Sequence, residues 1–196
     1  VRHTDHRLLQ RRDFLSALIG AAAAATLTPA PVHADAGVWR PAPGVLEAAA
    51  STPARYDPAG GACSGGLTPA AAALRATISR ETGITDIGGY ACRANTASPS
   101  RLSVHAVGRA LDVMVRGERG DRIADALLRG AGPLGVQLVI WRRRIWRSGA
   151  GDLRTYGGPN PHTDHIHVEV FAGPAGDGVP DALALGAVTV APRLTR

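Results

Sequence analysis

Ser103-Val104-His105-Ala106-Val107-Gly108-Arg109-Ala110-Leu111-Asp112 fits the pattern S-x-H-x-x-G-x-A-x-D. From Arg109 to Val115 the chain alternates: Ala110, Asp112 and Met114 share one face, and Leu111, Val113 and Val115 share the other. That period of two reads as a strand. It turns Asp112 inward and leaves His105 in the loop that enters the strand, with Gly108 giving the backbone freedom between them. A second stretch, Asp164-His165-Ile166-His167-Val168-Glu169, holds both D-x-x-H and H-x-H. It leads into an apolar run, Ile166 to Phe171, that reads as a neighbouring strand. Zinc takes nitrogen from His and oxygen from Asp or Glu, and a catalytic site keeps its fourth position for water. His105, Asp112 and His167 supply such a set. Each piece has a plainer reading on its own: a hydrogen-bonded loop histidine, an aspartate paired with Arg109, a polar strand face. The fixed spacings together favour a metal.

Outward from these motifs the pattern is coarser. Thr68 is a good helix cap and Pro69 a good first residue, and Leu74 and Ile78 carry the helix to Thr82 before Gly83 stops it. Ile84 to Tyr90 reads as a short strand or turn. Residues 93–102, which include Pro99, read as a loop. Asp121 is the expected cap of a second helix carrying Ile123, Leu127 and Leu128. Gly135 to Trp141 reads as a buried strand, and Arg144 to Trp146 as its partner across a tight connection. Residues 148–163 read as a Gly-rich loop, residues 35–62 as an extended lead-in, and residues 172–196 as a Gly/Pro/Ala-rich tail.

The 196 residues suit one domain with additional segments at its ends. With 45% hydrophobic and 19% charged residues, the chain is not a disordered polyelectrolyte. The net charge is +6, but all 22 basic residues are Arg, which reads as genomic composition rather than as a nucleic-acid footprint. No nucleic-acid partner is expected, and no basic groove with interleaved aromatics supports a metal nuclease. No apolar run after residue 35 approaches the roughly 18–20 residues of a membrane span, so no stable span is expected.

Residues 1–34 resemble a twin-arginine signal peptide. Arg11-Arg12-Asp13-Phe14-Leu15 is R-R-x-F-L, a weakly apolar Ala-rich stretch follows, and Val32-His33-Ala34 places small residues at a cleavage site. The resemblance implies export in folded form, transient contact with the export machinery, and an extracytoplasmic location in the cell wall or beyond. That compartment permits disulfides, so Cys63 and Cys92 are expected to form one.

The two motif segments, with Gly135-Val136, Val139-Ile140-Trp141 and Arg144-Ile145-Trp146, resemble a known superfamily over roughly residues 63–171. It unites zinc D-Ala-D-Ala carboxypeptidases, lysostaphin-type endopeptidases and the hedgehog N-terminal domain; actinobacterial secreted peptidase-like domains are the nearest likeness. The resemblance implies an α+β fold in which a small antiparallel sheet is flanked by helices. It also implies zinc on His105, Asp112 and His167, and hydrolysis of amide bonds in the stem peptides of peptidoglycan. In the carboxypeptidase branch a Glu three residues before the last ligand is the base; here that position is Asp164, one methylene shorter. On an ideal strand, His165 shares its face with His167 and Glu169, and Asp164 faces the other way. Asp164 is the leading base, with His165 assisting or stabilising the oxyanion; a strand that begins before Asp164 favours His165 instead. Ser103 is expected to hold the loop or bind substrate. Arg93, after Gly89-Tyr90, is expected to bind a substrate carboxylate or the developing oxyanion. Glu169 is expected to support a ligand rather than to be one. The competing reading is a non-catalytic, metal-stabilised module that binds the wall or a partner.

Overall fold

The computed structural model describes residues 37–52 and 56–172. The expected leader and almost all of the expected tail lie outside the described residues. The elements in chain order are α1 (Val45–Ala50), α2 (Pro69–Thr82), β1 (Ile87–Gly88), β2 (Ala94–Asn95), β3 (Ser98–Leu102), β4 (Ala110–Met114), α3 (Gly117–Arg129), β5 (Val136–Trp141), β6 (Arg144–Arg147), β7 (Leu153–Thr155) and β8 (His165–Val170). Six strands form one antiparallel sheet in the order β1-β4-β8-β5-β6-β7, and β2 and β3 form a separate hairpin. The protein is therefore α+β, with β8 near the middle of the sheet.

Period-two alternation gives the sheet two unlike faces. Leu111 and Val113 of β4, Val139 of β5, and Ile166, Val168 and Val170 of β8 are buried in the hydrophobic core with residues of all three helices. Helices α2 and α3 pack on this side of the sheet, and α1 packs on α3. Asp112, Ile140 and Ile145 lie in register with His167, or with its neighbour in the row, across β4, β8, β5 and β6. That row belongs to the opposite face.

Local chemistry explains the α2 boundaries. The Thr68 hydroxyl accepts from the Ala71 N–H at 3.4 Å, Pro69 opens the first turn, and Gly83 closes the helix at φ 71°. In α3, Gly120 lets the helix approach β5 closely, because a Cβ there would collide with the Trp141 ring. Trp141 Nε1 donates to Asp121 Oδ1 at 2.7 Å.

Several expectations need correcting. The second helix starts at Gly117 with Arg116 at its cap, and Asp121 instead accepts hydrogen bonds from Trp141 and Arg142. Residues 93–102 contain the β2–β3 hairpin, whose turn is closed by Asn95 Oδ1 accepting from the Ala97 and Ser98 N–H groups. The expected Gly-rich loop contains β7. The lead-in is not simply extended: α1 buries Val45 and Ala49, and the fully buried Trp39 donates to Asp125 Oδ1 at 3.0 Å. One and a half turns of Ala-rich helix are too short to show a period. The cysteines do pair, Cys63 with Cys92. Arg142 and Arg143, both at positive φ, make the turn between β5 and β6, and the Arg142 guanidinium pairs with Asp121 at 2.8 Å.

Candidate metal centre

His105 sits in the tight turn before β4. Its N–H donates to Ser103 Oγ at 3.3 Å, so Ser103 holds the loop. Gly108, at φ 68°, ends the turn; a Cβ there would collide with the Gly66 carbonyl, so only glycine fits. Arg109 points elsewhere: its guanidinium pairs with Asp57 at 2.8 Å and donates to the Pro58 carbonyl at 2.6 Å. Asp112 is thus left to the histidines rather than to Arg109.

Asp112 of β4 is directly opposite His167 of β8 in the ladder. Asp112 Oδ1 lies 2.9 Å from His167 Nδ1, and Asp112 Oδ2 lies 3.2 Å from His105 Nε2. The ligand atoms of His105, Asp112 and His167 lie within 4.8 Å of one another, and the three residues could hold a metal ion. Each histidine is braced through its other nitrogen. His105 Nδ1 donates to the Gly89 carbonyl at 2.7 Å, and His167 Nε2 lies 3.0 Å from Glu169 Oε1. Such partners fix the tautomer and turn the free lone pair towards a metal. The fit is chemical as well as spatial. Each imidazole lies between two oxygen acceptors, an arrangement short of positive charge that a divalent cation completes.

The charges of the site follow from this crowding. Burial pushes the Asp112 carboxyl up, but hydrogen bonds from His105 and His167 outweigh it and hold it well below the usual carboxylate range. Burial opposes charge on His167, but the Asp112 and Glu169 carboxylates on its two nitrogens dominate and raise it to about 9 in the metal-free protein. His162 is lowered to about 4, by burial first and then by the charges of His167 and His165.

Glu169 is a hub. It is buried, besides His167 it accepts from Gln137 Nε2 at 3.3 Å, and its charge acts on the nearby Tyr56 phenol. Gln137 reaches this face because the register shifts between Val136 and Leu138. Its amide also bonds the Asp57 backbone at both ends, donating to the carbonyl at 2.9 Å and accepting from the N–H at 3.1 Å. Burial and the Glu169 charge push the Tyr56 phenol up to about 12, so it remains a donor.

The three ligands open into a cavity of about 240 Å³ whose lining includes His165, Ser103, Arg93, Tyr56 and His162. Asp164 is not among the lining residues. β8 begins at His165, and the half-buried Asp164 turns back so that its Oδ1 lies 2.8 Å from His165 Nδ1. That hydrogen bond lowers the Asp164 carboxyl. His165 Nε2 faces Asp112 Oδ1 at 3.8 Å. The Arg93 guanidinium touches the Ala94 carbonyl at 3.4 Å and Thr96 Oγ1 at 3.3 Å. Tyr56, Gln137 and Arg147 join the site without any sequence signal, since they come from an irregular segment, a bulge and a strand end. His162 had only its nearness to the H-x-H motif to mark it.

The sequence model of a family described as "VldE, C-terminal domain" matches residues 63–167, more than half of the chain. The chain belongs to this family. No curated protein and no solved structure matches the chain. The VldE C-terminal domain match opens at the disulfide residue Cys63 and closes at the ligand His167. It therefore contains all three candidate ligands, but not the bracing Glu169, α1 or Tyr56.

Proposed function

We propose that this VldE C-terminal domain is an exported zinc-dependent peptidase-like domain that hydrolyses amide bonds in the stem peptides of peptidoglycan. The observation that carries the reading is the convergence of His105, Asp112 and His167 at the floor of an open cavity. Two imidazoles and one carboxylate with room for a further ligand suit catalytic zinc. The α+β sheet is consistent with a place in the D-Ala-D-Ala carboxypeptidase, lysostaphin-type and hedgehog superfamily, and the disulfide is consistent with export by the twin-arginine route.

Bound zinc would polarise the scissile carbonyl and acidify water. The chain's own residues handle the proton. Asp164 accepts from His165 Nδ1–H and so leaves His165 Nε2 free, facing the ligand cluster. His165 takes the proton of the attacking water on Nε2 and returns it to the leaving amine. Asp164, the leading base by sequence position, becomes the residue that orients the base. Arg93, on the cavity wall, stabilises negative charge developing on the substrate oxygen. The position of Asp164 outside the cavity lining also favours the second reading, a metal-stabilised binding module without a carboxylate base.

A digest of purified stem-peptide fragments separates the two. Zinc-loaded protein is expected to release new amino groups, and His165→Ala to lose that activity at least 100-fold while keeping its zinc. Intact fragments after incubation with zinc-loaded wild-type protein would leave the binding module as the function.

A further inference from the structure

The metal-bearing cavity does not end at the ligands. A second compartment of about 410 Å³ adjoins it along β6 and β7, and the two share Ala97, Ile145, Arg147 and Tyr156 as wall. Arg147 ends β6, opposite Leu138 of β5, which in turn lies opposite Glu169 of β8. The row Glu169–Leu138–Arg147 runs beside the row His167–Ile140–Ile145, so Arg147 stands on the site face at the junction of the two compartments.

Most arginines near the cleft are neutralised. Arg109 pairs with Asp57, Arg142 with Asp121, and Arg154 with Asp152. Arg93 lines the metal compartment, where it also touches its own hairpin, and does not reach the second compartment's lining. Arg147 has no carboxylate partner among the described residues. Arg147 is exposed, and its guanidinium lies 5.0 Å from the centre of the Tyr56 ring, which leaves its N–H fork for another group. A planar fork at the wall of an open cleft suits a carboxylate.

We propose that Arg147 is the substrate-anchoring residue of this cleft, and that it binds a carboxylate of a peptide running from the metal compartment into the second compartment. This rests on the peptide-hydrolase reading of the cleft and adds the class of substrate: an anionic peptide that continues past the scissile amide. β6 is two strands from β8, about 10 Å at ~4.8 Å per strand. The anchored carboxylate therefore belongs to a residue beyond the pair that is cut.

The test reads binding without turnover. Zinc-loaded His165→Ala protein is titrated with stem-peptide fragments whose carboxylates are either free or all converted to amides. Amidation is expected to weaken binding at least tenfold. Adding Arg147→Gln should weaken the free-acid peptide by a similar factor and abolish the difference between the two forms, and Arg147→Lys should restore part of it. Adding Arg154→Gln, at an arginine of the second compartment that is already paired with Asp152, should leave the difference in place. Equal binding of the two forms, a difference that survives Arg147→Gln, or no binding of either form overturns the anchor. Failure of the hydrolase reading is seen separately, in the digest by the wild-type protein.

Discussion

Leu111 and Asp112 are neighbours in β4, yet they belong to different molecules in physical terms. Leu111 points into a face where Val113, Val139, Ile166 and Val168 meet the helices and water is excluded. Asp112 points to a face where His105, His165 and His167 crowd one carboxylate beside an open cavity. The first face stabilises the fold through burial. The second gathers carboxylates and imidazoles beside open space, where their mutual hydrogen bonds shape the site and leave room for a cation. The same alternation in β8 puts Ile166 and Val168 on one side and His165, His167 and Glu169 on the other. One sheet thus separates stability from chemistry, residue by residue.

The sharpest way to break this contrast is to change the two neighbours one at a time. Asp112→Ala is expected to lower zinc affinity by at least 1,000-fold and to abolish hydrolysis. Its metal-free stability in a denaturant titration should fall by less than that of Leu111→Ala. Leu111→Ala should cost about 2–5 kcal/mol of stability, yet the folded protein at low temperature should still bind zinc. If the two variants show the same pattern, the division of labour between the faces is wrong.

Glu169→Gln is a milder probe, because it keeps the shape and removes the charge behind His167. Loss of such a partner typically costs 10- to 100-fold in metal affinity, and zinc titration by calorimetry should show it. Far-ultraviolet circular dichroism should not change.

The last probe is pH. In the metal-free protein His167 is raised to about 9 from a value near 6.5, because carboxylates face both of its nitrogens. Its contribution to stability is present below about 6.5 and is lost as the pH rises through about 9. Denaturant midpoints of chelator-treated protein should fall over that interval. Zinc must displace the same proton, so its affinity should rise as the pH rises from 6.5 to 9. A His167→Ala protein should show neither trend. A midpoint that is flat from 6.5 to 9 in the wild type would contradict the carboxylate sandwich around His167.

Much of the site was legible because its signals are local. His105 and Asp112 lie within one ten-residue motif, His167 closes another, and alternation alone put Asp112 and His167 on strand faces. The α2 cap at Thr68 and the single cysteine pair were equally direct. What escaped has a common cause: it depends on where a strand starts or how a register shifts. The direction of Asp164 turns on β8 beginning at His165 rather than one residue later. Gln137 reaches the site only through the irregularity beside Val136. Tyr56 comes from a segment without period, pinned by Arg109 and Gln137 through the neighbouring Asp57. The β2–β3 hairpin was hidden by Pro99 and polar residues, which strands at the margin of a fold tolerate.

The most direct test of the metal centre is the zinc content of the purified protein beside its His105→Ala variant. The account predicts about one zinc per chain in the wild type and none above background in the variant, with both proteins folded. A folded wild-type protein that carries no zinc and takes none up when it is supplied would contradict the metal centre, and with it the proposed hydrolysis.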